Sequence, residues 1–145
     1  MSKDKCNNKR HIGKYISQLY RKSSVFINRE VSKYGIRAGH LMFLMDLYLQ
    51  DGKNQEEISE RLKIDKATTA RALKKLEEQD FITRVKDNND KRSNKIYLTD
   101  TSKKFKEDVY SVLDDWNQQI SKSLTEEEEE TLINLLEKVC RNINV

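Results

Sequence analysis

Apolar residues open the chain at Ile12, Ile16, Leu19, Phe26 and Val31, with Ser23 on the same line. Steps of three and four place them on one stripe of a long helix, predicted over 8–33. The segment from Ser32 to Ala38 contains Gly35 and reads as a connection. A second helix runs through Leu41, Leu44, Met45 and Tyr48 and stops at Asp51-Gly52, a good terminator. Asn54 then offers an N-cap for a short helix with Glu56 and Glu57 in its first turn, where the helix dipole favours acids. Lys63-Ile64-Asp65 is a three-residue break, and Asp65 can cap the helix that follows. That helix, predicted over 66–79, turns Thr69, Ala72, Leu73 and Leu76 inward at helical spacing. Ala67, Thr68, Arg71, Lys74 and Lys75 fall on its opposite face.

After Asp80 the period changes to two. Phe81 to Lys86 and Lys95 to Thr99 alternate as strands do, and the hydrophilic run from Asp87 to Asn94 between them is rich in turn formers. The pair predicts an antiparallel hairpin over 82–98. Beyond it, Thr99 can cap a helix carrying Phe105, Val109, Val112, Trp116 and Ile120 on one stripe. Thr125 with Glu128 forms a capping box for a last helix through Leu132, Leu135, Leu136, Val139 and Ile143. The expected fold class is mainly α with a small β-hairpin wing.

Composition agrees with that reading. A chain of 145 residues matches one ordinary domain. Average usage would give it about seven prolines and about ten glycines, yet it has none and four. The four glycines stand apart, so neither G-x-G-x-x-G nor G-x-x-x-x-G-K can be written. No run approaches a membrane span, and the hydrophilic start is unlike a signal peptide. Two cysteines and two histidines make no metal or disulfide framework, which fits a reducing cytoplasm. No cofactor, metal or catalytic constellation is expected, and an enzyme is the weakest functional class.

Charge changes the picture once it is divided. Net charge is +4 overall, but residues 61–95 carry 11 basic and 6 acidic side chains and residues 96–145 carry 6 and 11. A concentrated basic segment is the footprint of a polyanion partner. Residues 54–99 read as a helix-turn-helix followed by a two-stranded wing, and a helix with a small, hydroxylic and basic face fits the DNA major groove. Arg71 can reach guanine with two hydrogen bonds, Lys74 and Lys75 suit phosphates, and Arg92 at the hairpin tip suits a narrow minor groove. A winged helix that binds protein instead of DNA is the competing class.

The stretch from Gln55 through Arg84, followed by Asp90-Lys91-Arg92 and Leu98-Thr99, resembles the MarR (multiple antibiotic resistance regulator) family of bacterial winged-helix transcription factors. The resemblance covers nearly the whole chain. It implies a winged helix-turn-helix lobe over 36–99, flanked by dimerisation helices over 8–33 and 100–145. It further implies a homodimer on a pseudo-palindromic operator of double-stranded DNA, with recognition helices about 34 Å apart, and most often a repressor. Lys66, Thr68, Thr69 and Arg71 match the family's recognition-helix positions, and Arg84, Asp90 and Arg92 its wing. Asn54, Gln55, Ala67, Lys74, Lys75, Ser93 and Lys95 complete the expected DNA-binding set. Asp90, acidic beside a polyanion, reads as an orienter of Arg92, and Thr69 reads as packing before contact. The chain departs from the family at Asp80 and near Ser102, where glycine is common, and both positions bear on flexibility between the lobes.

Relatives in this family bind small aromatic or anionic effectors between the lobes, which makes Tyr15, Arg37, His40, Phe43 and Tyr48 the candidate effector residues. An aromatic stripe at helical spacing is more often core than pocket. Thiol sensing is a further alternative. Cys6 lies among Lys3, Lys5, Lys9 and Arg10, which favour a thiolate, while Cys140 on the last helix is expected to pack.

Overall fold

Side-chain caps set four of the seven helix starts in the computed structural model, which describes residues 10–90 and 92–144. Helices α1 (Ile12–Ser32) and α2 (Ala38–Leu49) are followed by strand β1 (Lys53–Asn54) and helix α3 (Gln55–Leu62). Asn54 Oδ1 accepts the Glu57 N–H at 2.8 Å and starts α3. Lys63 then takes a left-handed backbone, φ 54°, and ends that helix. Asp65 accepts the Thr68 N–H at 2.9 Å to open α4 (Lys66–Glu78). Asp80 follows in the left-handed region at φ 63°, a conformation a short polar side chain tolerates better than most.

Strands β2 (Ile82–Lys86) and β3 (Asn94–Leu98) pair antiparallel from Ile82↔Leu98 to Lys86↔Asn94. Strand β1 joins the free edge of β3 through Lys53↔Ile96, so the expected two-stranded hairpin is a three-stranded sheet in the order β1-β3-β2. Asp51 fixes the join, because its Oδ1 accepts the Leu98 N–H at 2.9 Å. Thr99 caps α5 (Asp100–Lys104), α6 spans Lys106–Ser121, and α7 spans Glu126–Asn142 behind the expected Thr125–Glu128 capping box.

The long helix expected after Thr99 is broken at Phe105. Tyr48 Oη donates to the Ser102 carbonyl at 2.7 Å, and the Phe105 N–H closes a tighter turn onto the same carbonyl at 3.2 Å. The turn places the Phe105 ring 5.1 Å from that of Tyr34. Ser102 is fully buried, and its hydroxyl donates to the Phe81 carbonyl. The residue standing where glycine is common is thus a clamp between the sheet and α5, not a source of looseness. Burial, reinforced by Tyr110, pushes the Tyr48 phenol up to about 12, so it stays a donor across the physiological range.

The core runs from Val31 to Val112 and includes Leu44, Ile58, Leu73, Leu76, Ile96 and Val109. At its edge lies an ionic triad. Asp46, 4% exposed, receives Lys53 Nζ at 3.0 Å on one carboxylate oxygen and Arg61 Nε at 3.1 Å on the other. The two ends of the chain are built differently. Helix α7 has no buried residue, and Ile12, Ile16 and Leu19 on α1 and Leu132, Leu136 and Val139 on α7 present apolar stripes to the surface. Cys140 is exposed, not packed as expected, and Cys6 lies outside the described residues. Among the described residues no helix is long and apolar enough to cross a membrane, and no group of three His, Cys, Asp or Glu can hold a metal ion.

One tight approach governs the entry to the sheet. Gly52 has φ 77°, and a Cβ there would lie 2.9 Å from the Tyr97 ring. Gly52→Ala is expected to lower unfolding free energy by about 1–3 kcal/mol in urea titrations, through left-handed strain and overpacking together. Gly13→Ala, with open space around it, should be neutral or gain up to about 1 kcal/mol.

Candidate nucleic-acid interface

Helix α4 buries one face and displays the other. Thr69, Ala72, Leu73 and Leu76 are buried, while Lys66, Ala67, Thr68, Arg71, Lys74 and Lys75 are exposed. The exposed face is ordered by a short ladder of hydrogen bonds. Thr68 Oγ1 donates to Asp65 Oδ1 at 2.6 Å, and Arg71 Nη2 donates to Thr68 Oγ1 at 3.2 Å. These bonds to Thr68 hold the Asp65 carboxyl below its usual 3.8, with a smaller contribution from the charge of Arg71. The Arg71 guanidinium is therefore aligned along the start of the helix before any partner arrives.

A polar groove of about 320 Å³ lies beside this face. Asn54 and Gln55 from the start of α3, Lys66 from α4, and Arg84, Asp90, Arg92 and Ser93 from the sheet and its turn all line it. The sheet register explains the placement of Arg84. It pairs with Ile96 on the inward face of the sheet, and its guanidinium lies 3.4 Å from both Gln55 Oε1 on α3 and Glu77 Oε2 on α4. Neither contact is short, and the buried Nε is left without a well-aligned acceptor. Asp90 accepts the Arg92 backbone N–H at 3.0 Å. It shapes the turn that carries Arg92 and does not reach for the guanidinium itself.

Three groups of sequence expectations need correction. Thr69 is fully buried, so its side chain packs and cannot face a ligand. Lys95 sits on the outward face of β3 with Val85 and Tyr97, across the sheet from the groove. The five expected effector residues do not meet in a pocket: Phe43 and Tyr48 belong to the core, and Tyr15 is exposed on the α1 stripe. Arg37 and His40 lie at the start of α2, near Lys75 of α4. Burial, with the charges of Arg37 and Lys75, lowers the His40 pKa from its usual 6.5. Conversely, Glu56, Ser59 and Asn94 line the groove unexpectedly. Ser59 stands one helical turn after Gln55, so the spacing of α3 contained the signal.

Comparison with known proteins gives this geometry a family. Residues 36–94 match the MarR family. A MarR transcriptional regulator from Methanosarcina mazei Go1 superposes with a TM-score of 0.84 at 40% identity, over 90% of this chain and 94% of that one. The chain belongs to the MarR family. It is a MarR-family transcriptional regulator, and the family and its relatives are regulators, not enzymes. The HTH-type transcriptional regulator YybA of Bacillus subtilis (strain 168) is 33% identical over 88% of this chain and 85% of its own length. A cysteine-to-serine variant of MarR from E. coli, in complex with operator DNA, aligns with a TM-score of 0.80 at 26% identity, over 88% of this chain and 92% of that one.

The Asp65 cap supplies a pH test. Its folded pKa is lowered, so its contribution is fully present above the unfolded value and is lost as pH falls through the folded one. Asp65→Ala should lower Tm at pH 7, and the gap to the wild type should narrow once pH drops below about 3.8. A gap that stays constant to about pH 2 would refute the cap.

Proposed function

We propose that this MarR-family regulator is a homodimeric, sequence-specific DNA-binding repressor. Helix α4 enters the major groove of an operator half-site, and the turn of the β2–β3 wing lies on the flanking minor groove. The single observation carrying this reading is the pre-aligned face of α4 beside a groove lined by Lys66, Arg84 and Arg92. Ala67 lets the helix approach closely, and Arg71 has the geometry for paired hydrogen bonds to guanine. Lys74 and Lys75 neutralise phosphates, and Asn54 and Gln55 meet the backbone from the start of α3. A relative of the same fold solved in complex with operator DNA supports the DNA-binding reading.

The exposed apolar stripes support the homodimer. A monomer that exposes Ile12, Ile16 and Leu19 on one terminal helix and Leu132, Leu136 and Val139 on another leaves surface that a second copy buries. In this reading residues 36–99 form the DNA lobe, and 8–33 and 100–145 the dimer lobe. Release from DNA comes from a small-molecule effector.

Mobility-shift titrations on the DNA upstream of the protein's own coding sequence test the assignment. Arg71→Ala should lose about 1–3 kcal/mol of discrimination between operator and scrambled DNA. Lys75→Ala should weaken both and flatten the log–log salt slope by about 0.9. Indifference of binding to both substitutions refutes the reading. Leu136→Asp should halve the apparent mass in gel filtration and abolish operator binding, and a variant that remains dimeric refutes the interface.

A further inference from the structure

The sheet turns Arg84, expected as a wing contact, inward. It stands opposite Ile96, which is fully buried, and its side chain is 23% exposed against 77% for Lys66 and 62% for Lys75. Its Nε faces Glu77 Oε2 near the end of α4, and its Nη1 faces Gln55 Oε1 at the start of α3, each at 3.4 Å. We propose that Glu77 is a positioning residue for operator recognition, acting through Arg84 to fix the wing against α4 and α3. Arg84 then serves recognition by that tie, not by meeting a phosphate. The role rests on the DNA-binding reading above.

A guanidinium grips a phosphate best through two adjacent N–H groups that point the same way. In Arg84 the Nε is buried and turned to a carboxylate, so a phosphate taking that edge must first expel Glu77. Lys66, Arg71, Lys74 and Lys75 are exposed and can meet a duplex without such an exchange. Glu77 is 43% exposed, and a carboxylate beside a polyanion repels it. Were Arg84 a phosphate contact, Glu77 would oppose it twice, by holding the guanidinium and by repelling the DNA.

Position along the strand gives the tie its leverage. Strand β3 is held on one side by β1, whereas β2 is the outer strand of the sheet. The hydrogen bonds that fasten β2 to the lobe lie before its start, where the Phe81 N–H donates to the Leu76 carbonyl and the Phe81 carbonyl accepts from Ser102. Past Ile82, Arg84 is the one residue of β2 that is not exposed. It lies toward the turn that carries Arg92 and is held from two helices at once. Without Glu77 the outer half of β2 can tilt away from α4, and Arg71 and Arg92 lose their common register on the duplex.

The two roles give opposite signs for one substitution in the full-length protein. If Arg84 meets a phosphate, Glu77→Gln frees its guanidinium, removes a repelling charge and tightens binding to any duplex. The tie instead makes Glu77→Gln bind the upstream DNA about tenfold more weakly, with affinity for a scrambled duplex of the same composition unchanged or slightly raised. Arg84→Gln should show the same loss of preference with an unaltered log–log salt slope, whereas losing a phosphate contact flattens that slope by about 0.9. Arg84→Lys keeps the charge but not the fork, so it should bind as weakly as Arg84→Gln. Tighter upstream binding by Glu77→Gln, a flattened slope for Arg84→Gln, or full binding by Arg84→Lys each overturns the proposal. The tie is also read without DNA, by urea unfolding. The Glu77→Gln/Arg84→Gln double variant should unfold at the same midpoint as Arg84→Gln alone, and a midpoint lowered by the sum of the two single losses means no coupling and overturns the tie. Wild-type protein that binds upstream and scrambled DNA alike would sink the regulator reading and the recognition role with it, while the urea comparison still decides whether the tie exists.

Discussion

A carboxylate out of reach of water needs partners, and Asp46 has two, one on each oxygen. Losing Lys53, the buried partner, typically costs about 3–5 kcal/mol, because the remaining charge has no substitute for solvent; the half-exposed Arg61 contributes less. This requirement joins α2 to β1 through Lys53 and to α3 through Arg61. It accounts for a strand only two residues long: the Lys53 backbone pairs with Ile96 while its ammonium is drawn into the core. With both ends of α3 fixed, the left-handed turn at Lys63 and the cap at Asp65 deliver α4 in one orientation.

A second tie closes the far side of the lobe. Tyr48 of α2 donates to Ser102, Ser102 donates to Phe81, and Thr99 donates to Asp80. The start of β2, the end of β3 and the start of α5 therefore meet at one point beside α2. Between these two ties the sheet cannot slide along α4 without breaking buried hydrogen bonds. The polar groove is consequently a rigid recess whose own groups are only partly satisfied. Arg84 with its two long contacts and Ser59 with an unpartnered hydroxyl both line it.

How much of this was legible depends on where each instruction resides. The caps at Asn54, Asp65 and Thr125 are local, a side chain reaching three residues ahead, and they read directly from the sequence. The α4 faces follow from helical period, so Arg71 and the inward lean of Thr69 were both visible. Strand β1 was not, since two residues have no period and their pairing depends on a lysine buried by tertiary contacts. The break at Phe105 is dictated by Tyr48, 54 residues from its acceptor Ser102, and no local signal carries that. Phe43 and Tyr48 misled because helical spacing marks a buried stripe without saying whether protein or ligand covers it. Lys95 was recoverable: in a strand neighbouring Ile96, period two already assigns it to the opposite face.

The absence of any buried residue in α7 has a consequence for biogenesis. The inward-facing core ends at Val112, so during synthesis the lobe that holds α4 can close before α7 has left the ribosomal tunnel. Helix α7 emerges afterwards with its apolar stripe and finds no place within its own chain. In the proposed homodimer its burial waits on a second chain, so the yield of finished protein should depend on how many copies are made close together, as on a polysome.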